Sequence, residues 1–593
     1  MKKVMLILVV LFASLLGGYL SPNSGITLFF LSTVLLFFAV GPDIQLGKDE
    51  VLSLLFACCG AASMLYAGDK WGAILFSGSF MAGSFFYVTL RNSSDWELPL
   101  LKTIVIGGCI VGFCEALRQV GILPYGLFYN PNPFSGFLTP LVPVSFYLYS
   151  KCRRSVYVVA AALLVFANFI SASRTGVATM ILAFVAMAFL FYREKDRRAV
   201  KVLTLVFFVG FCSFLLFSQA KDALELKGVI GMLEKQPTAI AQRAYLLKVT
   251  LQVIREAPFL GHGLNSFLAV MGTVSNPYVV LPSIHAHSLY LNILAELGIV
   301  GLALFLSFLV LVIKGPFYSS YLLKIALIAF LLHNVVEYNF PPPPFQVLFY
   351  LLCAAIMQGK APRPSLFHIR GGAARIIPTL LALYFIVVHL FPAIGLLLLA
   401  RADAAIQERD ATKTFKYLFA STYFGYSVSL LHADTAHLLT DLYFSSSVKD
   451  GKLLEIAEKN YLKALALSSL DGPLYVDVAS FYARTGRPDK AQAYLSKVIE
   501  KYPYRQEYRR ALARLYAGQG RYREAVPILE ASSAFLKEYA PLEPLRVEIL
   551  LDLARLYLEQ GDRGHAEDLT AKALRLKDLL EGPRTLQERG KGR

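Results

Sequence analysis

Apolar runs of membrane-spanning length recur through residues 1–400 and then stop. They lie near 4–20, 26–40, 51–67, 71–90, 102–118, 136–150, 155–170, 175–192, 202–219, 288–313, 322–338, 343–358 and 376–399. Crossing a hydrocarbon layer takes about 20 apolar residues at ~1.5 Å rise each, and these runs approach or reach that length. The pattern predicts an all-α, polytopic membrane domain over 1–400 with about 13 transmembrane helices.

From residue 401 to 593 the pattern changes to charged sequence with a repeat. Ala479, Tyr482, Gly486 and Ala491 recur 34 residues later as Ala513, Tyr516, Gly520 and Ala525, and after a further 41 as Ala554, Tyr557, Gly561 and Ala566. Small residues where paired helices touch, with glycine at the turn and this period, are the tetratricopeptide pattern, which stacks into an α-solenoid. Pro503 closes the first unit, Ala457 and Tyr461 mark an earlier degraded one, and extra residues around Lys537–Pro544 lengthen a helix or loop.

Charge then orients the chain. The formal net charge is +17, but much of it lies in short loops, where Lys and Arg set topology, so it does not indicate nucleic acid. Lys2 and Lys3, Lys151 to Arg154, Arg193 to Arg198, and Lys360 to Arg375 all fall on one side of a 13-span chain, the cytoplasmic side. The N-terminal run is expected to be an uncleaved first span. The segments 118–135, 171–174, the long loop 219–287 and the repeat domain then lie outside the cytoplasm. Ala239–Glu256 in the long loop reads as an amphipathic helix at the membrane surface, and Pro341–Pro344 as a stiff turn on the same side. The seven cysteines show no metal-ligand spacing and read as small apolar packing residues.

Candidate chemistry gathers on that outer side. His285 and His287 stand at the mouth of an apolar run, HAHSLYLNILAELGIVG, which carries Glu296 inside it. A carboxylate at such a depth is costly unless paired, so Glu296 reads as a packing or network residue. Arg174 in SASRTG stands at a turn between spans; a snorkelling anchor is the ordinary reading, but arginine is disfavoured on this side. Arg243 opens the amphipathic helix. His262 lies between Gly261 and Gly263 in APFLGHGLNSF, a pair that permits close backbone approach. Guanidinium groups grip phosphate in a bidentate manner, and histidine suits proton abstraction near neutral pH. No GK[ST] phosphate loop and no HExxH motif is present.

SASRTG at 171–176, PFLGHGLNSF at 258–267 and HAHSLYLNILAELGIVG at 285–301 occur in an order and spacing that resemble the O-antigen ligase / polymerase family of bacterial membrane glycosyltransferases. Upstream, FCEALRQVGILPYGLFYNPNPFSGFL at 113–138 is similar to that family's Glu–Gly–Gln region and Asn-Pro-Asn turn. The resemblance is strongest over 100–315. It implies transfer of a glycan from an undecaprenyl-pyrophosphate carrier to a hydroxyl acceptor (lipid A-core, another glycan or protein) outside the inner membrane, without cofactor or metal. By position Arg174 and Arg243 would hold the pyrophosphate, His287 would be the base, and His285 would support it. The family histidine is followed in ligases by Asn, where this chain has Ser288.

The motifs do not separate a ligase from a polymerase or a protein O-oligosaccharyltransferase. A polysaccharide transporter or flippase would explain the spans but not the gathering of Arg and His at one face. A membrane-anchored scaffold would need one span. The repeat domain is expected to bind a protein partner.

Overall fold

The computed structural model describes residues 2–16, 33, 43–123, 127–128, 130–220, 236–279, 282–315, 321–358, 365–408, 410–445 and 449–581. They are overwhelmingly helical. The chain divides into two compact units, one of Met1–Phe267 with Ile284–Ile394, the other of Leu268–Ser283 with Gly395–Arg593.

In the first unit the apolar runs form helices, but not as an even set of spans. Among the described residues, six helices are long and apolar enough to cross a membrane: Lys70–Arg91, Glu97–Gln119, Arg174–Arg193, Arg197–Ser218, Leu289–Ile313 and Thr379–Gln407. Val156–Ile170, Tyr321–His333 and Pro343–Met357 are apolar but shorter. The expected span 26–40 lies almost wholly outside the described residues. The count of about 13 is thus not reached by length and composition, and it stays a proposal.

Three expected runs are interrupted for local reasons. The run at 136–150 is two helices, Pro131–Leu138 and Leu141–Cys152; Pro140, between them, has no N–H to continue the ladder. The run at 322–338 stops at His333. Asn334 ends it by donating its amide to the Phe330 carbonyl (2.9 Å) and accepting from the Asn339 N–H (3.0 Å). The run at 376–399 passes through a π-turn at Ile386–Leu390, just before Pro392, which cannot donate an ordinary helical hydrogen bond.

A two-stranded antiparallel ribbon pairs Asp43–Leu46 with Phe367–Arg370, Asp43 facing Arg370. The sequence reading assigned no strand there, because strands of four residues are too short to show an alternating pattern. The core is aromatic: Phe56, Phe80, Phe305, Phe340 and Phe349 form a chain of ring contacts. Buried charge inside it is paired, with Arg91 Nε 3.1 Å from Asp49 and 3.2 Å from Glu50.

The second unit follows the repeat pattern closely. Helix pairs Gly472–Arg484 with Pro488–Lys501, Gln506–Gly518 with Tyr522–Tyr539, and Pro544–Glu559 with Arg563–Glu581 pack in succession. The repeated alanines at 479, 491, 513, 525, 554 and 566 are buried at the helix crossings. Gly486, Gly520 and Gly561 turn each pair with φ of 73°, 73° and 86°, where a side chain would be strained. The extra residues near 540 lengthen both a helix, Tyr522–Tyr539, and the turn after it. An earlier pair, Ser429–Ser445 with Gly451–Leu467, carries buried Ala457 and Tyr461.

Candidate active site

The site is built where three helix ends meet in the first unit. Ser173 caps the Arg174–Arg193 helix by accepting from the Gly176 N–H (3.2 Å), and Asn130 caps Pro131–Leu138 by accepting from Asn132. Gly176 lets the two approach: a Cβ there would lie 1.6 Å from Ser135 Oγ. The Asn-Pro-Asn turn and the SASRTG turn are joined by Ser173 Oγ donating to Asn132 Oδ1 at 2.8 Å. Nearby, Gln119 of the Glu115 region donates to the Ile170 carbonyl at 2.7 Å, while Glu115 is held by Arg118.

The residue that draws these turns to the histidines is Glu337, which the sequence reading did not single out. It stands in the irregular stretch after His333, 4% exposed. Its Oε1 accepts from Asn132 Nδ2 at 2.6 Å and from Arg243 Nη2 at 3.2 Å. Its Oε2 faces His287 Nδ1 at 3.7 Å, an ion-pair distance just beyond a hydrogen bond. Burial alone would raise this carboxyl, but His287, Arg243 and His333 together hold it below its usual range. Glu337 is therefore a buried anion that meets Asn132 and Arg243 at one oxygen and faces His287 with the other.

His287 takes an unusual backbone. Its φ is 48°, in the left-handed region, which costs a non-glycine residue on the order of 1–3 kcal/mol unless its surroundings fix it. They do so by three hydrogen bonds. The His287 N–H donates to His285 Nδ1 (3.2 Å), the Ala286 N–H to Asn292 Oδ1 (3.0 Å) and the Leu289 N–H to the Asn334 carbonyl (2.9 Å). The imidazole of His287 is about one-third exposed, so one edge faces Glu337 while the ring stays open to a reactant.

His285 packs its ring against His287 (4.5 Å between centroids) and Tyr338 (5.7 Å). Burial, and then the neighbouring His287, push it down to about 4. It stays neutral near pH 7 and accepts the His287 N–H. This gives a stability prediction. A free histidine titrates near ~6.5. Between pH 6.5 and about 4 the unfolded chain binds a proton at this position that the folded chain does not, so stability falls as pH drops through that window. Glu337 adds a loss of the same sign, but only at more acidic pH. Replacing His285 with Gln should make the melting midpoint fall less steeply between pH 6.5 and 4, measured by thermal unfolding.

Of the other expected site residues, Arg243 lies on the Gln236–Glu256 helix and reaches Glu337. Arg174 is exposed at the first position of its helix, one residue from the Ser173–Asn132–Glu337 chain. His262 and Glu296 do not join His287. His262 Nε2 lies 2.9 Å from the Val253 carbonyl. Glu296 sits within the Leu289–Ile313 helix and accepts from the Phe267 N–H at 3.4 Å.

The glycines around His262 have a purely structural explanation. The Leu289–Ile313 helix is interrupted at Gly298, φ 65°. Its freed backbone bonds to the 258–263 segment: Gly263 N–H to the Glu296 carbonyl at 2.8 Å, and Ile299 N–H to the Pro258 carbonyl at 2.9 Å. A Cβ at Gly261 would lie 2.3 Å from the Glu296 backbone, and one at Gly298 2.1 Å from the Phe259 carbonyl oxygen. The close approach is backbone to helix, not backbone to ligand.

Residues 159–306 match the family model described as O-antigen ligase, and residues 482–538 match one described as tetratricopeptide repeat. No curated protein matches the chain. Among solved structures, yeast Tom70 is 12% identical over 90% of this chain and 94% of its own, with a TM-score of 0.21. A human IFIT1 dimer with PPP-AAAA is 10% identical over 90% and 96%, also at 0.21. Likeness at that level carries no argument here. The first match covers Arg174, Arg243, His262, His285, His287 and Glu296 and stops short of Glu337, and the second falls in the helix pairs. Residues 159–306, which hold the candidate site histidines and arginines, are thus similar to the O-antigen ligase family, in a chain with helices long and apolar enough to cross a membrane, and its C-terminal helix pairs are similar to tetratricopeptide repeats.

Proposed function

We propose that the chain transfers a glycan from an undecaprenyl-pyrophosphate-linked donor to a hydroxyl acceptor at the outer face of the inner membrane. The observation that carries this reading is the convergence of His287, Arg243 and Asn132 on the single buried carboxylate of Glu337. Glu337 faces Nδ1 of His287, which leaves Nε2 as the proton acceptor. The acceptor hydroxyl loses its proton to Nε2 as its oxygen attacks the anomeric carbon, and the bond to the carrier phosphate breaks with inversion. Glu337 stabilises the imidazolium so formed, as the carboxylate does in other acid–histidine pairs. Arg174 and Arg243 stabilise the growing charge on the leaving pyrophosphate.

Arg243 is tied to Glu337 by one nitrogen and is about half exposed, so its guanidinium edge is available to phosphate. Acceptor choice among lipid A-core, a second glycan and protein is open to the same chemistry. Glycan analysis of a deletion strain tests the reading. Surface glycan should disappear while the lipid-linked precursor is retained, whereas a flippase would leave the precursor on the cytoplasmic face. In the restored strain, Arg174→Lys should lower transfer by about 10-fold or more, because a point ammonium cannot reproduce bidentate contact. Unaltered transfer would remove Arg174 from the donor site.

A further inference from the structure

His287 and Glu337 stand on different segments of the first unit. One leads into the Leu289–Ile313 helix, and the other follows the Tyr321–His333 helix. Asn334 joins them. It is fully buried, and each of its polar groups has a partner. Its main-chain carbonyl accepts from the Leu289 N–H at 2.9 Å, just past His287. Its side-chain oxygen accepts from the Asn339 N–H at 3.0 Å, just past Glu337. Its Nδ2 donates to the Phe330 carbonyl at 2.9 Å, and its own N–H donates to the same oxygen at 3.2 Å. The bond from Asn339 closes residues 334–339 into a loop with Glu337 inside it. On the other side of His287, the Ala286 N–H goes to Asn292, on the helix that His287 leads into. The bond from Leu289 instead reaches the segment that carries Glu337. Tyr290 Oη donates to the Leu331 carbonyl at 3.2 Å, a further tie between the same segments but outside the loop.

We infer that Asn334 is a positioning residue for the transfer reaction, the node that holds Glu337 against His287. The inference rests on the reading of His287 as the base. A short amide suits the node because it offers both a donor and an acceptor. A carboxylate has no N–H to give the Phe330 carbonyl, and an aliphatic side chain leaves the Asn339 N–H without an acceptor. With the loop open, Glu337 and the carbonyl that holds Leu289 no longer move as one piece. The carboxylate stands 3.7 Å from His287 Nδ1. Support of the imidazolium by a charge-assisted hydrogen bond needs about 2.7–2.9 Å. The pair therefore works within about 1 Å of play, and a misplacement of that size can cost ~10²-fold in rate.

The test uses the full-length protein in nanodiscs, with hydrogen exchange and steady-state transfer. Asn334→Leu keeps the volume and should speed exchange over both 285–292 and 334–340. It should lower kcat by about 10-fold or more, with KM for the lipid-linked donor within about threefold. In a Glu337→Gln background the same change should cost no more than about threefold in kcat, because the contact it serves is already gone. A residue that only supports the fold would lower kcat by the same factor in both backgrounds. If Asn334→Leu does not fold, Asn334→Asp, which keeps an oxygen for the Asn339 N–H, carries the same comparison: a smaller loss that again vanishes beside Glu337→Gln. Tyr290→Phe removes the tie outside the loop and should stay within about twofold of the parent. Equal losses in the two backgrounds, exchange altered over 334–340 alone, a loss in KM alone, or a loss in Tyr290→Phe as large as in Asn334→Leu overturns the inference. His287→Ala is run in parallel. If it transfers normally the base reading fails, while exchange over the two segments still decides whether Asn334 ties them.

Discussion

His287→Ala is expected to lower turnover by about 10³-fold, within the ~10²–10⁴ that a positioned general base contributes. The chain should still insert and still bind lipid-linked donor, because Arg243 bonds Glu337 directly and does not depend on His287. His287→Asn keeps a hydrogen-bonding side chain without basicity and should fail to the same degree. It also tests the backbone separately, since Asn tolerates the left-handed conformation at φ 48° better than most residues. A fold problem would therefore separate the two variants, and a proton-transfer role would not. His262→Ala should stay within a few-fold of the parent, because that ring serves the Val253 carbonyl away from Glu337.

The second large effect belongs to Glu337. Glu337→Gln preserves the volume and an oxygen for Asn132 and Arg243 but removes the charge that faces His287 Nδ1. Loss of the carboxylate in such a pair leaves the imidazolium unsupported, and turnover should fall by about 10²-fold or more. Donor affinity should change little or improve, as Arg243 is released from its counter-charge. Folding should survive. Arg243 and His287 both keep solvent access, so neither becomes a stranded buried cation. The reverse change is harsher on stability: Arg243→Ala leaves the buried carboxylate of Glu337 with one charged neighbour fewer and should lower the melting midpoint, by less than in a fully buried pair because Arg243 is half exposed. Comparing kcat for Glu337→Gln with the melting midpoint of Arg243→Ala separates the two roles of this ion pair.

Much of the candidate site was legible from the chain because most of its parts lie at helix ends, where polar residues interrupt apolar runs. Arg174, His285 and His287 were visible in that way, Arg243 as a cation on the amphipathic helix, and the repeat glycines and alanines through their period. Glu337 was not, although its signal was present: a lone carboxylate in the apolar stretch HNVVEYNFPPPP. A hydropathy window absorbs it into a span at 322–338, whereas Asn334 ends the helix early and turns the carboxylate toward the histidines. Asn132 was seen only as part of a turn. Its role depends on Ser173 and Glu337, far away in sequence, and no local pattern encodes that pairing. The Gly261–His262–Gly263 motif was legible in part. A positive-φ glycine pair signals close approach but not to what, and the partner is the helix backbone at Glu296. The broken runs at Pro140 and at Ile386–Leu390 show the same limit: average hydrophobicity reports an apolar environment without reporting whether one helix continues through it.

The most direct measurement takes the lipid-linked glycan that accumulates in a deletion strain and presents it to the purified full-length chain in proteoliposomes. Donor binding, carrier pyrophosphate release and glycan on the acceptor are followed together. The parent should release pyrophosphate carrier in step with acceptor glycosylation, while His287→Ala and Glu337→Gln bind the donor and release almost none. Release and transfer by His287→Ala at a rate near the parent's would contradict base catalysis by the histidine that Glu337 faces.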